Sequence, residues 1–392
     1  MPIHATMTGS WFRPPEIVRL IAKSPAGEIP NKHSRVIEAA ERKAIRDQLH
    51  PGGSRVGLFA VSNGEQRKSS YTAYLPNRFH GFSRRDRARV LISKEFVSEM
   101  QESNPAFLTK FGGKASPAYV LPKIESKLEY HGEDLARREA QDASKLAREE
   151  KAPKIFIPSA SPGVIPIFFQ RGRAYRDHLE YLSSLTKEMR KEYRAILSVD
   201  GVDLQIDAPD LAMAKVAAVG WGIDFYEALP HHVDAINEAI AGLPSSKIRI
   251  HYCFGNWLGS HKFDADFAKI IPELLRLKAG TIVGEMANPR HEGDALKLTH
   301  YLREHDWPRR LTLAAGVIDV KTPIIETPET VAGRLDRLAR IDKIGPEKLM
   351  AGTDCGFETF ASVNNVTYKV GLQKLQAAAL GAKLESERLK LD

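Results

Sequence analysis

The chain of 392 residues contains only two cysteines, Cys253 and Cys355, and they lie far apart in the sequence. This scarcity excludes a small fold stapled by disulfides, and cytosolic thiols are kept reduced, so both thiols are available as ligands. The first thirty residues lack an apolar run long enough for a signal peptide or a membrane span. We therefore expect a cytoplasmic protein with no membrane partner.

A basic stripe is also missing, although lysine and arginine outnumber the acidic residues and give a net charge of +8. The basic residues stand beside acidic ones along helical stretches, as in Leu135–Lys154 and Lys187–Arg194. Since no nucleic-acid-binding motif accompanies the charge, we expect no nucleic-acid partner. The charge instead favours attraction of anionic small molecules. With 43% hydrophobic and 27% charged residues, the chain has the composition of a globular protein with a large core.

Short apolar runs rich in valine and isoleucine alternate with segments of helical periodicity, such as Leu211–Val219, Asp266–Leu277 and Pro328–Ile341. Such runs are typical of parallel strands that are buried on both faces. Eight of them can be counted: the segment that ends at Gly9 and Ser10, then Arg55–Ser62, Lys154–Ser159, Val202–Asp207, Lys247–Tyr252, Thr281–Glu285, Leu311–Ile318 and Leu349–Thr353. This repeat predicts an α/β fold, a single (β/α)8 TIM barrel over residues 1–392.

The interval between the second and third strands is too long for one crossover helix. It holds the aromatic and basic stretch Tyr71–Arg89 and a charged helix around Leu135–Glu150. We interpret residues 71–150 as an insertion in one catalytic barrel, and not as a second domain. The stretch Leu372–Lys390, rich in alanine, leucine and lysine, is predicted to be the closing helix.

Chemistry in such barrels is built from residues at the carboxyl ends of the strands. Polar side chains end or closely follow the predicted strands, namely Ser10, Glu65, Asp207, His251, Cys253, Glu285, Asp319, Asp354 and Cys355. Two of these, His251 and Cys253, are two residues apart, which places both on the same face of an extended strand end. A buried cysteine beside a strand-end histidine is the simpler alternative.

The second cysteine favours a metal site over this simpler alternative, because Cys355 also stands at a strand end and is flanked by Gly356. One imidazole and two thiolates, with Glu285 as the candidate carboxylate, form a soft ligand set that favours Zn²⁺ over Mg²⁺ or Ca²⁺. Two thiolates make the ion electron-rich. We therefore expect it to hold a substrate thiolate as nucleophile, and not to activate water.

Seven stretches resemble, in the same order, the cobalamin-independent methionine synthase family, and more closely its short relatives, which include the epoxyalkane:coenzyme M transferases. They are GSWFRPPE from Gly9, NGEQR from Asn63, LQIDAPDLA from Leu204, HYCFGN from His251, GEMANPRHE from Gly284, GVIDVKTP from Gly316 and AGTDCGF from Ala351. The resemblance implies that the zinc ligands are His251, Cys253, Glu285 and Cys355. It also implies that Glu285 yields to the incoming thiol.

The resemblance further implies that Ser10, Glu65 and Asp207 bind the amino-acid part of the substrate. Two carboxylates facing one small pocket suit an ammonium group, which favours homocysteine over coenzyme M, a sulfonate without an amine. The alternatives are a salt bridge from Glu65 to Arg67 or to a neighbouring helix, and a helix N-cap formed by Asp207 before Pro209.

Three departures from the family pattern bear on the methyl donor. Full-length methionine synthases have two barrels and bind folate polyglutamate between them, whereas this chain has one barrel. Those enzymes also have a histidine two residues after the aspartate of the seventh strand, which assists protonation at the donor. Here Asp319 is followed by Lys321 at that position, so we assign these two residues as candidate catalytic groups; a solvated lysine is the alternative. The tryptophan of the folate contact is not recognisable in Ser159–Phe169.

We therefore predict a zinc-dependent transferase that moves a methyl or small alkyl group onto a thiol, with homocysteine as the leading acceptor. A corrinoid protein or another methyl donor would replace folate polyglutamate. The alternatives are an epoxyalkane:coenzyme M-type enzyme that adds a thiol to an epoxide, a non-catalytic zinc-binding protein, and a metal-free decarboxylase of the uroporphyrinogen type. Homo-oligomerisation is left open.

Other polar residues receive weaker interpretations from the sequence. His231, His232 and His305 are expected at the surface or at helix ends. The segment Arg290–Glu292 could bind an anion or cap the helix that follows it.

Overall fold

A computed structural model describes residues 1–24, 27–112 and 120–391. Eight parallel strands form one sheet, in the order β1, β10, β9, β8, β7, β6, β5, β2. They are β1 (His4–Ala5), β2 (Ala60–Ser62), β5 (Lys154–Ala160), β6 (Val202–Asp207), β7 (Ile248–Tyr252), β8 (Thr281–Gly284), β9 (Thr312–Ile318) and β10 (Leu349–Thr353). A parallel bridge between Thr6 and Ala60 joins the two outer strands of this order. The eight-stranded barrel that the sequence predicted is confirmed.

The barrel strands are almost entirely buried, because helices cover their outer faces and side chains fill the interior. Their β-branched residues suit this position, as in Ile248 and Ile250 of β7, which are 1% or less exposed. The register pairs Asp207 of β6 with His251 of β7. The polar ends of these two strands are therefore neighbours.

Thirteen helices are found within the described ranges. They are α1 (Pro15–Ala22), α2 (Ser34–Leu49), α3 (Lys94–Ser103), α4 (Pro105–Gly112), α5 (Glu133–Glu149), α6 (Ile165–Phe168), α7 (His178–Leu197), α8 (Ala214–Ala217), α9 (Phe225–Ala239), α10 (Phe267–Leu274), α11 (Asp294–Glu304), α12 (Pro328–Ala339) and α13 (Tyr368–Arg388). Side-chain N-caps begin several of them, including Asp177, Asp224, Asp266, Thr327 and Thr367. None of these helices combines the length and apolarity needed to cross a membrane.

The long interval after β2 contains an antiparallel hairpin, β3 (Phe79–Arg89) and β4 (Val120–Tyr130), with α3 and α4 between its strands. Residues 113–119 of the predicted insertion lie outside the described residues. Helix α5 differs from the prediction, because it packs against α2, α7 and β5 and thus belongs to the ring of barrel helices. The buried small side chains of Ala136, Ala140 and Ala143 allow this close packing.

Buried charges join the segment after β2 to the barrel. The Arg78 guanidinium contacts Glu28 at 2.5 Å and Glu139 at 2.8 Å, and the Lys68 ammonium lies 3.2 Å from Glu139. The four side chains are at most 4% exposed. Buried charges are tolerated only when they are paired in this way. The cluster ties α5 to the loop that carries Glu65.

Candidate functional site

A cavity of about 130 Å³ lies at the carboxyl ends of the barrel strands. Six residues that the sequence analysis selected line it: Ser10, Glu65, Asp207, His251, Cys253 and Cys355. This is the position at which barrel enzymes of this class carry out chemistry. The cavity is therefore the candidate active site.

Three ligand-type side chains converge at the bottom of this site. The ligand atoms of His251, Cys253 and Cys355 all lie within 4.8 Å of one another, and the three residues are buried. Cys253 follows β7 two residues after His251, and Cys355 follows β10. Gly356 allows the close approach of the first strand end, since a Cβ there would meet the Ser10 hydroxyl oxygen at 2.0 Å. This group could hold one metal ion.

The imidazole of His251 is oriented by a carboxylate. Its Nδ1 lies 3.1 Å from Asp207 Oδ1, and its Nε2 lies 3.3 Å from the carbonyl oxygen of Asp354. A histidine that ligates a metal commonly donates its other ring N–H to a carboxylate, which sets the ring orientation and the tautomer. Asp207 also accepts a hydrogen bond of 2.8 Å from Gln205, and does not act as a helix N-cap.

The two thiols do not share the same acidity. A hydrogen bond from Cys355 lowers the pKa of the Cys253 thiol to about 6, against the effect of burial and with the help of His251. The same bond raises the pKa of Cys355 well above its ordinary value. Burial opposes protonation of His251, but the Cys253 charge and Asp207 raise the pKa of His251 to about 10. A thiolate beside a second sulfur is an environment that favours a cation.

The fourth predicted ligand, Glu285, is fully buried but is not part of the group of three. Its carboxylate accepts hydrogen bonds from the Phe254 amide at 3.1 Å and from Asn288 at 3.3 Å, and it forms an ion pair with Lys321. Phe254 directly follows Cys253, so Glu285 is linked by one hydrogen bond to the segment that carries the thiol. The structure thus brings three of the four predicted ligands together and places Glu285 beside them.

The candidate catalytic residues lie on the side of Glu285. Lys321 is 2% exposed, so the alternative of a solvated lysine is wrong. Burial opposes its charge, but Glu285 and Asp354 raise the pKa of Lys321. Asp319 accepts a hydrogen bond of 2.8 Å from the Lys321 amide and shapes this turn. Neither residue is among those that line the cavity, and their catalytic role stays a prediction.

Asp354 has a structural role that the sequence analysis did not identify. Its carboxylate accepts hydrogen bonds of 2.8–3.0 Å from the amides of Met286, Ala287 and Asn288, which follow Glu285. Burial and the charge of Glu285 raise the pKa of Asp354 to about 8. The residue joins the end of β10 to the segment after β8. The sequence feature that could have indicated this role is the position of Asp354, directly before Cys355 at the end of a strand.

The predicted substrate clamp contains polar atoms that have no partner within the described part of the chain. Ser10 Oγ and Glu65 Oε2 are buried and make no hydrogen bond. The predicted salt bridge between Glu65 and Arg67 is wrong, because Arg67 pairs with Glu41 at 2.8 Å. Burial of unsatisfied polar groups costs free energy, so at a cavity wall these atoms are available to bind a ligand or water.

Glu65 is held in an unusual backbone conformation, with a φ of 55°. The Asn63 side chain accepts a hydrogen bond of 3.0 Å from its amide, and Arg13 donates to its carbonyl oxygen at 3.2 Å. Such strain persists where the surroundings over-determine it, often at functional sites. Burial, and then the charge of Asp207, raise the pKa of Glu65 to about 7.

Two histidines outside the cavity, His232 and His291, are buried against aspartates. His232 is fully buried, with Nδ1 2.8 Å from Asp210 and Nε2 2.9 Å from His178, so its predicted surface position is wrong. His291 is buried between Asp264 and Asp294 at 2.8 Å from each. These aspartates outweigh the effect of burial and raise the pKa of His291 to about 9. Neither histidine lines the cavity.

The insertion contributes a wall to the site. Helix α3 places Glu99 where it accepts hydrogen bonds from the Trp257 indole at 3.1 Å and from the His261 amide at 2.9 Å. The Phe96 ring meets the Trp257 ring edge to face, at 5.0 Å between centroids. Helix α3 is therefore fastened to the segment that follows Cys253.

Fold and site together define a TIM-barrel protein with a buried histidine–cysteine–cysteine group at the mouth of the barrel. The family model of the cobalamin-independent synthase catalytic domain matches residues 182–379, just over half of the chain. The chain belongs to this family, as the seven ordered motifs predicted, and is an enzyme of the methionine synthase type.

Individual relatives agree with this assignment. A methionine synthase of Saccharolobus solfataricus is 23% identical over 393 residues, which cover 99% of this chain and 96% of that protein. A 2-hydroxypropyl-CoM lyase of Xanthobacter autotrophicus is 28% identical over 192 residues, which cover 43% of this chain and 50% of the lyase. The solved structure of a B12-independent methionine synthase from Shewanella sp. W3-18-1, in complex with selenomethionine, has a TM-score of 0.70 at 18% identity. It covers 100% of this chain and 99% of its own, and supports the fold.

Proposed function

We propose that the protein is a zinc-dependent transferase that moves a methyl group onto the thiol of homocysteine. The observation that carries this proposal is the convergence of His251, Cys253 and Cys355 within 4.8 Å at the wall of a cavity. An imidazole and two thiolates are a ligand set that suits Zn²⁺. Zinc bound there would keep an incoming thiol deprotonated at neutral pH.

Each polar group of the site receives a role under this proposal. Asp207 orients His251, and it also contributes negative charge to the cavity. Glu285 is proposed as the ligand that yields to the substrate, and Lys321 would hold its carboxylate aside once the thiol has entered. The Glu285 carboxylate would thus move between zinc and Lys321 as the substrate thiol binds and leaves.

The acceptor is proposed from the charge of the cavity. Glu65 and Asp207 suit an ammonium group, and the unpartnered Ser10 hydroxyl can donate a hydrogen bond to the substrate carboxylate. Coenzyme M carries a sulfonate and no ammonium, so its negative charge would face the two carboxylates and would need a cationic partner. Among the lining residues that the structure describes there is no lysine or arginine, so the epoxide reaction of a coenzyme M enzyme is the weaker alternative.

The first experiment tests the metal. Purified protein should contain about one zinc per chain by elemental analysis, and Cys253→Ser or Cys355→Ser should remove most of it. His251→Ala should do the same, whereas the matched control His305→Ala, at an exposed histidine, should retain zinc. Stoichiometric zinc in all three site variants would refute the assignment.

The second experiment tests the thiol. X-ray absorption at the zinc edge should show one additional sulfur scatterer when homocysteine is added, and none with homoserine, which has oxygen in place of sulfur. A coordination shell that does not change with homocysteine would favour the alternative of a non-catalytic zinc-binding protein.

A further inference from the structure

Much of the cavity lining is aromatic or aliphatic. The rings of Tyr71, Phe168 and Phe360 pack against one another, with centroids 5.7–6.2 Å apart. Val90 and Ile92, where hairpin strand β3 leads into α3, also line the cavity. These side chains offer few polar partners to a second substrate.

Apart from His251, the charged side chains that line the cavity are acidic. Its other charged lining residues, within the described ranges, are Glu65 and Asp207. The net charge of +8 therefore does not extend into the site, and the expected attraction of anionic small molecules finds no counterpart there. Zinc bound by two thiolates and one neutral imidazole would carry no net charge, so an anionic donor would still meet the charge of the two carboxylates, which is unfavourable.

We propose that the donor is an onium compound, in which the methyl group is bound to a positively charged sulfur or nitrogen. This proposal rests on the proposed thiol methylation. Aromatic faces attract such cations through their quadrupole, and the two carboxylates keep one negative charge in excess after the homocysteine ammonium has bound. Tyr71, Phe168 and Phe360 form the onium-binding wall.

The chemistry of transfer is consistent with this donor. The acceptor sulfur uses an electron pair to form a bond to the methyl carbon, and the bond from that carbon to the onium atom breaks. Its electron pair stays on the onium atom, which leaves as a neutral sulfide or amine. No proton has to be supplied, whereas an ether or an epoxide leaves an alkoxide that needs one. The only lysine described beside the zinc-ligand residues is Lys321, and it is paired with Glu285.

A binding experiment tests the wall without requiring turnover. Isothermal titration of the purified protein with trimethylsulfonium and with choline should give tighter binding than 3,3-dimethylbutan-1-ol, the uncharged analogue of choline, by tenfold or more. Phe360→Leu should reduce this preference by roughly 2- to 30-fold, the range expected for a lost cation–π contact. Phe263→Leu, at a residue outside the cavity lining, is the matched control and should leave the preference unchanged. Should Phe360→Leu fail to fold, Phe168→Leu serves in its place.

A transfer experiment then separates the sources of the cation. Incubation with homocysteine should give methionine together with an equal amount of dimethyl sulfide from trimethylsulfonium, or of dimethylaminoethanol from choline. Equal binding of the uncharged analogue, or methionine formation from a methylated corrinoid while no onium compound binds, would overturn the proposal. Onium preference without methylation by any donor would support the wall assignment and contradict the proposed function.

Discussion

Replacement of Glu139 by glutamine is the sharpest test of how the site is supported. The Glu139 carboxylate is fully buried between Arg78 and Lys68, at 2.8 and 3.2 Å. Burial alone would raise the pKa of Glu139, but the charges of Lys68, Arg78 and Arg67 lower it from 4.5 to about 2. At about 1.4 kcal/mol per pH unit, this difference corresponds to about 3 kcal/mol of folding free energy. That figure agrees with the roughly 3–5 kcal/mol lost when one partner of a buried ion pair is removed.

The direction of the pH dependence follows from the lowered pKa of Glu139. A carboxylate with a depressed native pKa stabilises the fold fully above pH 4.5, and this contribution is lost as the pH falls towards 2. Glu139→Gln should therefore lower the free energy of unfolding by about 3 kcal/mol at pH 7, and the difference from the wild type should shrink below pH 4.5. Urea unfolding followed by circular dichroism at several pH values measures this.

The control for this experiment is Glu129→Gln on the exposed face of β4, which should change stability by less than about 0.5 kcal/mol. A Glu139→Gln effect below about 1 kcal/mol, or one that does not vary between pH 7 and pH 3, would refute the reasoning.

Three further predictions concern the site and its surroundings. The wild-type KM for homocysteine should rise about tenfold between pH 8 and pH 6. Burial and a neighbouring carboxylate raise the pKa of Glu65 to about 7, and below this pH the ionised carboxylate that binds the ammonium group is lost. In Glu65→Gln the KM should be high and independent of pH. In urea unfolding of the zinc-free protein, Lys321→Met should cost about 3–5 kcal/mol, since Glu285 would be left without a cation, whereas exposed Lys278→Met should be nearly neutral. Asp210→Asn should lower stability by about 1–3 kcal/mol, because a buried histidine N–H loses its charged acceptor; an unchanged melting temperature would contradict this.

The barrel could be predicted from the sequence because its signal is local. Each buried strand is a short run of β-branched residues, such as Ile248 and Ile250 in β7, and each run is followed by a helical pattern. Eight such units close in only one common way. The site residues could be selected in the same way, since each predicted strand has a carboxyl end, and these ends meet at one face of the barrel. His251, Cys253 and Cys355 meet there although Cys355 is about a hundred positions away.

The remainder depended on contacts between residues that are distant in sequence and have no periodic signature. No pattern could show that Lys321 is buried against Glu285, or that His232 is packed against Asp210 and another histidine. Helix α5 likewise reads as part of the insertion until its contacts with α2 and α7 assign it to the barrel.

Sequence alone thus determined the fold class and the family and selected the three side chains that converge, His251, Cys253 and Cys355, because these follow from local periodicity and from short motifs. Only the tertiary structure decided the charge and the surface of the cavity. The aromatic wall unites Tyr71, Phe168 and Phe360, which are distant from one another in the sequence, while lysine and arginine lie outside the described lining. The protein has an excess of positive charge, yet its site is acidic and apolar, since a side chain's direction is set by the packing of the whole barrel.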